Sequence, residues 1–85
     1  MFIPAADVFP TASARNKAWV ALINDIKAAE SFKELALVKS EHLDTISKLR
    51  NEKDLKANWR DFDYIEAIEE ALEYQKSLIE KHKEN

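Results

Sequence analysis

Two histidines, His42 and His82, and sixteen carboxylates are the side chains whose types could do acid–base or metal chemistry. A di-iron site in a helical bundle takes a glutamate three residues before each histidine. Those positions hold Lys39 and Ile79 instead. Zinc would need carboxylates from distant segments to converge on both histidines. The expected role of each histidine is therefore structural or superficial. There is no cysteine, which excludes a thiolate nucleophile and a thiolate metal site. There is no glycine either, so phosphate-cradling loops, dinucleotide fingerprints and nucleophile elbows are absent. Serines and threonines stand mostly where helices want caps. The expectation is a non-enzymatic chain with no cofactor, no metal and no small-molecule substrate.

Charge is the more informative pattern. Asp61, Asp63, Glu66, Glu69, Glu70 and Glu73 place six acids within residues 61–73 with no cation among them. Glu66, Glu69, Glu70 and Glu73 share one helical surface by i+3 and i+4 spacing, where like charges repel by a few tenths of a kcal/mol per pair. Such a face is either a solvated one tuned to the helix dipole or a negative strip that meets a basic surface. Just upstream lie Lys48, Arg50, Lys53, Lys56 and Arg60, interrupted by Glu52 and Asp54. These cations read as partners for the acidic run, or, through Lys53, Lys56 and Arg60, as a weak phosphate-binding stripe. Among the aromatics, Trp59 and Phe62 fall on a core stripe, whereas Tyr64 and Tyr74 point off it and are candidate contact residues.

Four elements must position these groups. Residues 1–10 read as an extended arm, because Pro4 and Pro10 fix φ and restrain Ile3 and Phe9. The arm carries Phe2, Ile3, Val8 and Phe9, which either fold back over the chain's own helices or dock into a neighbour. Thr11 or Ser13 caps a first helix over about 12–29, with Trp19, Leu22, Ile23 and Ile26 as its buried face. Ser31 and Glu34 have capping-box spacing and open a second helix over about 32–50. Its buried side holds Phe32, Leu35, Val38, Ile46 and Leu49, widened by Leu37 and Leu43 and including His42; Ser40 is a possible interruption and Asn51 the terminator. The last helix runs over about 55–83, capped by Asp54, on a stripe of Leu55, Trp59, Phe62, Ile65, Ile68, Leu72, Gln75 and Ile79. The alternative start is at Asp61 or Asp63, with Asp63 and Glu66 as a capping box.

The 85 residues thus describe a single all-α domain, a small bundle of about three helices with an extended N-terminal arm and a long C-terminal helix. The net charge of −3 is uneven, +2 over residues 1–60 and −5 over residues 61–85, which argues against nonspecific nucleic-acid affinity. No apolar run is long enough to span a bilayer, and Met1–Ala6 lacks a cationic leader, so a cytoplasmic location in a cell or a host cell is expected. In composition the chain resembles the short accessory proteins of phages and other mobile elements; the likeness carries no residue. The leading expectation is a protein–protein interaction module, an inhibitor or assembly factor that occupies a partner's surface. The partner is another protein, one with a basic nucleic-acid-binding surface being a candidate. The acidic strip of Asp63, Glu66, Glu69, Glu70 and Glu73 would contact it, with Phe2, Phe9, Tyr64 and Tyr74 as further contacts. The alternatives are a structural subunit that self-assembles, as a homo-oligomer or within a larger particle, and a weak nucleic-acid binder through Lys53, Lys56 and Arg60.

Overall fold

A computed structural model describes residues 8–55 and 62–84, with side chains to position 82. Phe2, Ile3, Lys56, Trp59, Arg60 and Asp61, singled out above, lie outside the described residues. Four α-helices and no strand are present among those described: α1 (Ala12–Ala28), α2 (Phe32–Glu41), α3 (Leu43–Asp54) and α4 (Tyr64–Glu84). The all-α bundle is as expected; the number of helices and two of their boundaries are not.

The first two helix starts follow their caps. Thr11, in extended backbone, accepts the Ala14 N–H on its hydroxyl at 3.0 Å, and α1 runs to Ala28. Ser31 accepts the Glu34 N–H at 3.1 Å, while the Glu34 carboxylate reaches back to the Glu30 N–H at 2.8 Å. That is a capping box whose return arm extends one residue beyond the usual target.

The expected 32–50 helix is two helices, broken at His42 rather than at Ser40. His42 has φ −105° and ψ 20°, off the helical basin, and its N–H donates to the Val38 carbonyl. Its own carbonyl accepts the Ile46 N–H and so starts α3. Its imidazole Nε2 lies 2.7 Å from Asp25 Oδ2 on α1. The kink therefore sits where a third helix holds the side chain. It re-aims the chain so that Leu35 and Val38 of α2 and Leu49 of α3 all reach the core, leaving Leu43 exposed; Leu37, about 200° around α2 from Leu35, is exposed too, and neither widens the face.

The end of α3 and the start of α4 also correct the sequence reading. Asn51 does not end the helix, which continues to Asp54, so Asp54 closes α3 rather than capping the last helix. Leu55 follows as the C-terminal cap and is exposed, outside any buried stripe. The extra turn carries Glu52 into the interior, where it accepts hydrogen bonds from two other segments. Those tertiary bonds outweigh the local preference of Asn51 to terminate. The last helix starts at Tyr64, the later of the two alternatives. Asp63 Oδ1 accepts the N–H groups of both Ile65 and Glu66 at 3.0 Å.

One core joins all four helices. Leu22, Ile26 and Ala29 from α1 and its cap meet Leu35 and Val38, Leu49, and Ile65, Ile68 and Ile79. Trp19, Ile23, Ile46 and Leu72 flank it, half-buried. Gln75 is the polar member of the α4 stripe, and its Nε2 donates to the Ala29 carbonyl at 2.7 Å. A buried amide is tolerated because it satisfies a carbonyl left over at the end of α1. The N-terminal segment folds inward: Phe9 packs against the core and its N–H donates to Glu52 Oε2 at 2.9 Å.

Candidate functional site

Of the helices, α4 concentrates exposed acids most strongly. Its inner stripe of Ile65, Ile68, Gln75 and Ile79 is buried against the bundle. Geometry then turns Glu66, Glu69, Glu70 and Glu73 outward, and all four are exposed. The positions four residues after them hold Glu70, Glu73, Tyr74 and Ser77, so Glu-to-Lys pairing at i, i+4 is absent from every one. Lys76 approaches Glu73 only at 3.9 Å between exposed side chains. Tyr74, 65% exposed, stands on the same helix beside this row.

Asp63 belongs to the run by sequence but not by situation. Its Oδ2 accepts from Lys53 Nζ at 2.7 Å while Oδ1 caps α4. The hydrogen bond from Lys53, then that from the Glu66 N–H, holds its carboxyl below the usual carboxylate range. The same bond to Asp63 raises the Lys53 ammonium above its ordinary value. Lys53 is thus engaged within the molecule, as is Lys48, which lies 3.2 Å from Asp44 and 5.5 Å from the Phe9 ring centre. Lys53 is the one described member of the stripe considered above for phosphate binding.

Two other candidate contacts are also used internally. Tyr64 forms an edge-to-face cluster with Trp19 and Phe62, ring centres 5.5 and 4.9 Å away, and its hydroxyl donates to Asn16 Oδ1 at 2.6 Å. The Arg15 guanidinium lies 5.0 Å from its ring centre. Phe9 is anchored by Glu52, as described. The structure therefore brings Glu66, Glu69, Glu70, Glu73 and Tyr74 onto accessible surface of one helix and places Asp63, Tyr64 and Phe9 in supporting contacts.

Glu52 is the residue that sequence reasoning missed. It is 5% exposed and holds Phe9 N–H on one oxygen and Arg15 Nη1, at 3.4 Å, on the other. Its signal was spacing: it stands three residues after Leu49 and six after Ile46, on the buried side of α3. A cleft of about 550 Å³ also opens between α2 and α4, bordered by Phe32, Ala36, Lys39, Glu69, Glu73 and Lys76.

Among the described residues, no group of three histidines, aspartates or glutamates is placed to hold a metal ion, and no helix is long and apolar enough to cross a membrane. Comparison with protein-family models, with curated proteins and with solved structures finds no match to this chain.

Proposed function

We propose that this chain is a non-catalytic protein-binding module, an inhibitor or assembly factor that covers a basic surface of a partner protein with the outer face of α4. One observation carries the reading: Glu66, Glu69, Glu70 and Glu73 are all exposed on one face, with no cation on α4 from Tyr64 to Gln75. The helix dipole accounts for acids only in the first turn, since its effect falls off beyond it. Asp63 and Glu66 satisfy that requirement. Glu69, Glu70 and Glu73 lie past it and repel one another, so local helix stability does not call for them. A complementary basic surface does, and a negative row also speeds encounter with it. The composition of a phage-type accessory protein, acting in the cytoplasm of a cell or host, fits the same reading.

The test is capture of partners from the native host with the tagged chain, followed by binding measurements across a salt series. Changing Glu66, Glu69, Glu70 and Glu73 together to glutamine should weaken the captured interaction at least tenfold and flatten its salt dependence. Undiminished affinity for the quadruple variant removes α4 from the interface. The self-assembly alternative draws on the C-terminal stripe and the arm over residues 2–9; Ile65, Ile68 and Ile79 of that stripe are buried in the bundle, and Phe9 of the arm is committed to Glu52 and the core.

A further inference from the structure

The cleft between α2 and α4 adds shape to the charge of the acidic face. Its floor is Leu35, buried, and the half-buried Leu72; Phe32, 39% exposed, and Ala36 form the α2 side. Ala36 gives the cleft its depth, because a larger side chain there would fill it. Ser31 and Glu34 fix the first turn of α2 and with it the position of Phe32. The α4 side is lined by Glu69 and Glu73, about 5–6 Å apart as neighbours at i, i+4, with Lys76 at its far end.

We infer that this cleft receives the apolar row of a basic amphipathic helix from a partner protein, with that helix's cations lying over Glu66, Glu69, Glu70 and Glu73. The inference rests on the function proposed above and specifies its partner. Charge selects the occupant. Lys39 and Lys76 also border the cleft, so a segment cationic on all sides would meet two lysines. An anionic segment would meet Glu69 and Glu73 and then the wider acidic row. A helix with an apolar row directed inward and lysines or arginines over Glu69 and the acidic row beyond it, rather than over Lys76, reduces both conflicts. Its i, i+4 cations match the i, i+4 spacing of Glu66 with Glu70 and of Glu69 with Glu73.

The probe is a synthetic helical peptide with leucines at i, i+3 and i+7 and lysines along one flank, titrated into the full chain by calorimetry and by amide NMR. Binding should move the Ala36 and Leu72 signals together with those of the acidic row. Ala36→Trp, at an exposed position, should weaken binding at least tenfold while leaving its salt dependence intact. Phe32→Ala should weaken it by a smaller factor, and circular dichroism should show both variants folded. Equal affinity in Ala36→Trp, or equal binding of a control peptide with serines for leucines, would overturn the cleft while leaving the acidic face standing. Equal binding of a leucine–glutamate peptide would overturn both. Absence of binding by the leucine–lysine peptide at low salt would overturn the inference; the glutamine variants tested on the captured partner decide the broader reading separately.

Discussion

Changing Glu52 to alanine removes the carboxylate that ties the N-terminal segment and α1 to α3. In the native chain this carboxylate accepts the Phe9 N–H at 2.9 Å and Arg15 Nη1 at 3.4 Å, with side-chain exposures of 6% for Glu52 and 12% for Arg15. Breaking a buried ion pair by removing one partner costs about 3–5 kcal/mol, because the other charge stays buried. The 3.4 Å separation and the residual exposure of Arg15 favour the lower end, about 3 kcal/mol. In a domain this size that corresponds to roughly 12–24 °C in Tm. Glu52→Gln keeps an oxygen for the Phe9 N–H and should cost less, about 1–2 kcal/mol. Urea unfolding followed by circular dichroism, with amide NMR of Phe9, measures both. The double change Arg15→Met with Glu52→Leu should recover much of the alanine loss, since apolar replacement of a buried pair is often neutral or stabilising. A loss below about 1 kcal/mol for Glu52→Ala, with the Phe9 amide unshifted, would show that the carboxylate does not hold the segment.

Three further outcomes follow from named contacts. Ser31→Ala should destabilise the chain by about 1 kcal/mol through loss of the α2 cap, measured as a lower urea midpoint at constant slope. Gln75→Leu should cost about 1–3 kcal/mol by stranding the Ala29 carbonyl, and an unchanged midpoint would show that another donor replaces it. Asp63 has a lowered folded-state pKa, so its contribution to stability is complete above the ordinary carboxylate value of about 4 and is lost as pH falls through the lowered one. An NMR titration of its carboxyl should place it below the ordinary aspartate value of 3.8, and Asp63→Asn should remove that part of the acid sensitivity; a midpoint at the ordinary value would contradict the Lys53 bond.

Local signals were sufficient for the starts of α1 and α2, but not for α4, where Asp54 offered an earlier cap than the Asp63 that is used. Thr11 and Ser31 act within three residues of themselves, so their types and spacing identify the caps. The buried faces of α1 and of α4 from Ile65 onward were likewise legible, because an apolar stripe at helical period has one way to avoid water. The kink at His42 was not. No glycine or proline marks it, and its side-chain partner Asp25 lies on α1. Leu43 was misplaced for the same reason; Leu37 lies about 200° around α2 from Leu35, so its exposure follows from the stripe itself. The long final helix failed at Leu55, which is the exposed cap of α3, whereas α4 begins only at Tyr64 with a buried stripe of its own.

The acidic face shows where spacing stops being informative. It groups Glu66, Glu69, Glu70 and Glu73 correctly, because residues three and four apart on a helix are neighbours whatever surrounds them. It does not distinguish them from Asp63, whose charge is met by Lys53 ten residues earlier, at the end of α3. Glu52 resembles its charged neighbours in type, and only its place on the Ile46 and Leu49 side of α3 sets it apart, buried beside Phe9 and Arg15. Stability therefore accounts for Asp63 and Glu52 through contacts that close within the molecule. For Glu69 the Lys53 ammonium supplies only a longer-range attraction, and for Glu73 Lys76 makes only a loose approach. Their mutual repulsion is a small local destabilisation that a cationic partner would relieve on binding, which is why salt dependence, rather than stability, is the measurement that bears on them.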